Sequence, residues 1–123
     1  MGEGARIWHV PDGYLPSASS GAFESHEAIC VLNTGEEEAE LTIEFFFEDR
    51  DPLVGATKVP ARRTRHIRTD QSAELGGVQI PRGVSYAIRI SSSVPVTVQH
   101  SRLDTTQPAM ALMTTLAFPS ADG

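Results

Sequence analysis

Residues 40–48 read Glu-Leu-Thr-Ile-Glu-Phe-Phe-Phe-Glu, with Leu41, Ile43, Phe45 and Phe47 in one phase and Thr42, Glu44, Phe46 and Glu48 in the other. This two-residue period, rich in β-branched and aromatic side chains, is the mark of a half-buried strand. The same period returns in residues 84–91, where Val84, Tyr86, Ile88 and Ile90 share a phase, and in residues 94–101, where Val94, Val96 and Val98 do. Turn-forming residues punctuate these runs. Asn33-Thr34-Gly35 predicts a hairpin between residues 27–33 and 39–48, and Ser91-Ser92-Ser93 predicts a turn inside a second hairpin, with Pro95 at a strand start or an edge. Shorter strands are expected at 6–10, 56–59 and 63–68, each bounded by Pro or Gly. About seven short strands separated by turn signals describe an all-β, single-domain β-sandwich of jelly-roll-like character. The one helical hint lies after Asp104, a capping residue with Gln107 three positions on. Pro108 and the Thr114-Thr115 pair limit it to one short helical turn, followed by a last strand reaching Phe118.

With 123 residues the chain has room for one domain and none for a second. Its apolar runs, such as residues 28–32, stop far short of the roughly 20 residues needed to cross a bilayer as a helix. The first residues carry neither a basic stretch nor an apolar one, so no secretory signal is read and the cytoplasm is the expected compartment. A lone cysteine, Cys30, sits in an apolar run and reads as a buried inert thiol. The net charge of −6 disfavours non-specific attraction to nucleic acid. That charge is uneven: residues 36–51 hold eight of the 16 acids, and residues 58–68 hold five of the 10 bases. Complementary cross-strand pairing is the simple expectation, and a self-complementary surface that favours oligomers is the sharper one.

No HExxH, CxxC, phosphate-loop, GxSxG or dinucleotide-binding pattern is present, so no catalytic residue, metal ligand or cofactor site is assigned. The polar candidates are scattered: His26 and Glu27, Arg62 and Arg63 with His66, and Gln99 and His100 with Arg102 and Asp104. Parity makes one group informative. If the strand from Val94 runs without interruption, His100 and Arg102 continue the face of Val94, Val96 and Val98, so an aliphatic floor ends in a hydrogen-bonding rim. Convergence of His26, His66 and His100 on a metal is one alternative, giving a metal-assisted enzyme. Binding of DNA through the basic segment 62–68 is another, although that segment lacks the aromatic residues of single-strand binders.

Three blocks, residues 25–33 (Ser-His-Glu-Ala-Ile-Cys-Val-Leu-Asn), 59–68 (Val-Pro-Ala-Arg-Arg-Thr-Arg-His-Ile-Arg) and 95–104 (Pro-Val-Thr-Val-Gln-His-Ser-Arg-Leu-Asp), closely resemble the sensory rhodopsin transducer family. Trp8 with Gly13-Tyr14-Leu15-Pro16 and the late stretch 111–117 fit in the same order. The resemblance implies a soluble, non-enzymatic signalling adaptor or small-molecule-binding domain: a cytoplasmic β-sandwich, assembled as a homotetramer. Its implied partners are a membrane-embedded microbial rhodopsin and a small polar, sugar-like or anionic ligand. Carried onto this chain, the ligand-binding or interface candidates are His26, Glu27, Asn33, Arg62, Arg63, His66, Gln99, His100, Arg102 and Asp104. The loops 49–55 and 70–81 follow no pattern of the family.

Overall fold

The computed structural model describes residues 3–17, 25–104 and 111–120. Eight strands run in the order β1 (Ala5–Tyr14), β2 (His26–Asn33), β3 (Ala39–Phe47), β4 (Leu53–Val59), β5 (Arg63–Arg68), β6 (Ser85–Asp104), β7 (Ala111–Leu116) and β8 (Phe118–Pro119). All pairings are antiparallel. One ladder runs β4-β3-β6-β1-β8, and the other joins β5 to β2, β2 to β6, and β6 to β7. The all-β, sandwich-like architecture expected from the alternation is therefore present. Among the described residues no helix is long and apolar enough to cross a membrane.

The core follows the period-two phases. Leu41, Ile43 and Phe45 from β3 and Tyr86, Ile88 and Ile90 from β6 are buried, and they meet Ile29 and Val31 of β2 and Ile67 of β5 in one cluster. Full burial of each such aliphatic or aromatic side chain is worth about 1.5–3 kcal/mol.

Two predicted connections differ. β2 and β3 form no hairpin, since β2 pairs with β5 and β6 while β3 pairs with β4 and β6. Asn33 explains the difference: its buried amide donates to Glu37 O at 2.8 Å and to Val59 O at 3.2 Å and accepts from Gly35 N at 3.0 Å, so the chain is tied into a crossover between ladders. The serine triplet is not a turn either. It lies within β6, a single strand of 20 residues whose buried phase runs from Tyr86 through Ser92 to His100. The pairing with β1 slips there, from Ile7 opposite Ser91 to Ala5 opposite Val96. Pro95 falls inside that irregularity, where the missing N–H costs no ladder bond. Serine hydroxyls take up the loose backbone donors, with Glu40 N donating to Ser93 Oγ at 2.9 Å.

A short 3-10 turn at Ser72–Leu75 was not foreseen; it buries Leu75 and ends at Gly76 in the left-handed region. The helical turn predicted after Asp104 falls on residues 105–110, outside the described residues. The strand predicted to reach Phe118 is divided between β7 and β8.

Candidate functional site

β6 is the shared member of both ladders, and its second half carries His100 and Arg102. On β2 the buried phase of Ile29 and Val31 extends back to Glu27, which is fully buried. Register places Glu27 directly opposite Arg102 and Ile29 opposite His100, so β2 and β6 deliver all three polar side chains to one end of the core.

A carboxylate removed from water must have its lone pairs filled. Glu27 does so with four donors. Oε1 accepts from the Tyr86 hydroxyl and lies 3.1 Å from His100 Nε2, while Oε2 accepts from Arg102 Nε at 2.8 Å and from the Tyr14 backbone N–H at 2.8 Å. Burial acts to raise the pKa of Glu27, but the hydrogen bonds from His100, Tyr86 and Tyr14 outweigh it and hold the group below its ordinary value. Tyr86 shifts the other way: burial, together with the adjacent Glu27 charge, pushes its phenol far above the usual range.

The proton logic fixes the donors around this centre. An ionised carboxylate only accepts, so Tyr86 spends its one proton on Glu27, and Thr69 Oγ1, 3.1 Å away, donates to the phenol oxygen. The same reasoning assigns a proton to His100 Nε2. Its Nδ1 lies 3.3 Å from Thr115 Oγ1, the residue opposite it on β7. Among the described residues no buried side-chain nitrogen or oxygen lacks a partner.

Gly13 makes the arrangement sterically open. A Cβ there would sit 2.4 Å from the Tyr86 ring, so the strand passes over the phenol only because the side chain is missing. The ring also meets Phe45 and Phe47 edge-on, with centroids 5.8 and 6.5 Å apart. Just before Gly13, β1 gains one residue relative to β6, between Val10 and Gly13. The Pro11-Asp12 pair in that irregularity lines the same cleft as His100.

Above this network opens a cleft of about 480 Å³, lined by Val10, Pro11, Asp12, His100, Arg102, Met113, Thr115, Leu116 and Phe118. Its lip is apolar, with Leu116 73% and Phe118 60% exposed. Arg102 spans from floor to mouth: besides its bond to Glu27, its Nη2 lies 3.8 Å from Asp12 Oδ1.

Of the residues proposed from sequence, Glu27, His100 and Arg102 thus converge. Asn33 is a buried turn anchor, and Arg62 and Arg63 lie at that same far end of β2, six residues or roughly 20 Å from Glu27. Arg62 pairs with Glu36 at 3.0 Å, and Arg63 donates to Arg62 O at 3.0 Å. His66 is exposed and Gln99 is exposed, both opposite Cys30 on the outer face, so His66 and His100 cannot share a metal. His26 stands at the start of β2, where it acts on the buried Asp70. The side chain of Asp104 is outside the described residues. Sequence reasoning missed Tyr86, Asp12, Thr115 and the Tyr14 N–H. A tyrosine in the buried phase of a strand requires a hydroxyl partner, and that was the available signal.

A family model for the Anabaena sensory rhodopsin transducer matches residues 3–119. The chain belongs to that family. A solved structure entitled "Crystal Structure of Thermotoga maritima 1070" is similar, at 39% identity over 96% of this chain and 97% of that one, with a TM-score of 0.87. The structure of the Anabaena sensory rhodopsin transducer matches at 37% identity over 88% of this chain and 96% of that one, with a TM-score of 0.73. Comparison with curated protein sequences gives no match. The family match covers nearly the whole chain, and membership of the transducer family makes this a signalling-related domain.

Proposed function

We propose that this transducer-family chain is a non-enzymatic adaptor that binds a small molecule in the cleft above Glu27 and passes its state to a partner. The observation that carries the reading is the Glu27 network, which fixes Arg102 and His100 at the floor of an apolar-walled cleft. Small-molecule sites combine such walls with a few positioned polar groups, in volumes of about 300–1,000 Å³. Catalysis is disfavoured because Glu27 has every lone pair engaged and is shielded from any substrate. Nucleic-acid binding is disfavoured because Arg62 is matched by Glu36 and Arg68 by Asp70. In keeping with the family, the adaptor is cytoplasmic and homotetrameric and receives its signal from a membrane-embedded rhodopsin.

The test is a thermal-shift screen of sugars, organic acids, amines and nucleotides, followed by calorimetry. Replacing Arg102 with Lys keeps the charge but loses the planar fork that faces Glu27 and Asp12 together, so the floor of the cleft is disturbed and binding weakens about ten-fold. His100→Ala weakens it similarly. A ligand bound equally by wild type and both variants removes these residues from the site.

A further inference from the structure

On the reading of the cleft as a small-molecule site, the charges already in place constrain its occupant. Among the described lining residues, Arg102 is the only cationic side chain apart from the titratable His100. Its guanidinium is already matched by Glu27 at 2.8 Å and faces Asp12 at 3.8 Å. With the imidazole counted neutral, two carboxylates stand against one guanidinium, a sum of one negative charge. His100 offers an incoming anion nothing further, because its ring is 3% exposed and both nitrogens have partners in Glu27 and Thr115. A carboxylate or phosphate would meet no unmatched cation here and would sit beside Asp12.

An organic cation meets the opposite conditions. Asp12 holds its carboxylate at the mouth with 87% side-chain exposure, and its pairing to Arg102, at 3.8 Å, is longer than a hydrogen bond. Phe118, 60% exposed, stands on the same lip and offers an aromatic partner to a cation or to a flat apolar body. Val10, Pro11, Met113, Thr115 and Leu116 supply the remaining walls. We propose that the cleft selects an amphiphilic organic cation, a flat apolar body carrying an amine directed at Asp12, and discriminates against the carboxylate of the same shape. Arg102 is then a structural cation that holds the floor together.

Tryptamine, tryptophol and indole-3-propionate provide the test, since they share an indole body and differ in the charge of the head. Titrations of the full chain, followed by calorimetry and by amide chemical shifts of β1 and β7, should rank tryptamine first and indole-3-propionate last. Each step should be about two- to five-fold, the scale of an exposed ion pair. Asp12→Asn should remove most of the spread, and raised salt should compress it. A propionate that binds as well as tryptamine overturns the proposal. So does an absence of binding by all three, whereas a sugar or organic acid that binds and is weakened by Arg102→Lys leaves the small-molecule reading standing and defeats this charge rule alone.

Discussion

A buried carboxylate tolerates no partial solution, and Glu27 shows what a complete one demands: a phenol, an imidazole and a guanidinium from β6 and a backbone amide from β1. Because its folded pKa lies below the ordinary 4.5, the unfolded chain takes up the proton first as pH falls. The stabilisation is therefore complete above that value and is lost progressively as pH drops through it toward the folded pKa. Denaturant titrations at pH 7 and pH 3 should show the loss. Glu27→Gln should cost about 3–5 kcal/mol at pH 7, as for other broken buried pairs, and should flatten the acid limb. Some slope will remain from Asp70, where burial acts to raise the pKa but the Arg68 guanidinium outweighs it and holds the carboxyl below its ordinary value. An unchanged acid limb in the variant would remove Glu27 as its source. At this scale the sequence was only partly readable. His100 and Arg102 could be placed on the face of Val96 and Val98 from parity and Glu27 was a candidate through the family resemblance, but Asp12 and Thr115 reach the cleft through pairings between distant segments that no local spacing encodes.

The strands themselves were the most legible part of the chain. Phases read from Leu41, Ile43 and Phe45, and from Tyr86, Ile88 and Ile90, are the buried phases of β3 and β6. What alternation does not state is which strand lies beside which. Asn33-Thr34-Gly35 resembles a hairpin turn but directs a crossover, and three serines resemble a turn although the hydroxyls serve a bend within β6. The phase also sorts the phenylalanines of β3. Phe45 is fully buried, whereas Phe46 lies on the outer face under the Arg89 guanidinium, 5.4 Å from the ring centroid. Phe45→Ala should cost about 3–5 kcal/mol in denaturant unfolding. Phe46→Ala should cost distinctly less, losing one exposed cation–π contact of about 0.5–1 kcal/mol and some partial burial. A costlier Phe46 would invert the face of the strand.

For the whole molecule, family membership leads to the expectation of a closed assembly of identical copies. Sedimentation at micromolar concentration should give a species of about four chain masses, as a cyclic or dihedral tetramer requires. A monomer under those conditions rejects the assembly. The single long strand β6 also has a consequence for how the chain comes into being. β1, β2 and β3 each pair with β6, and β2 meets residues as late as Leu103. During synthesis the first five strands leave the ribosome without the partner that joins them, and only β2 with β5 and β3 with β4 can pair early. Folding therefore waits for residues near 104 to emerge, and it then closes many distant contacts at once, the slow regime for β proteins. Until that moment the nascent chain exposes Ile29, Ile43 and Phe45 together, so this is a protein whose yield in the cell depends on what shelters it while it is still being made.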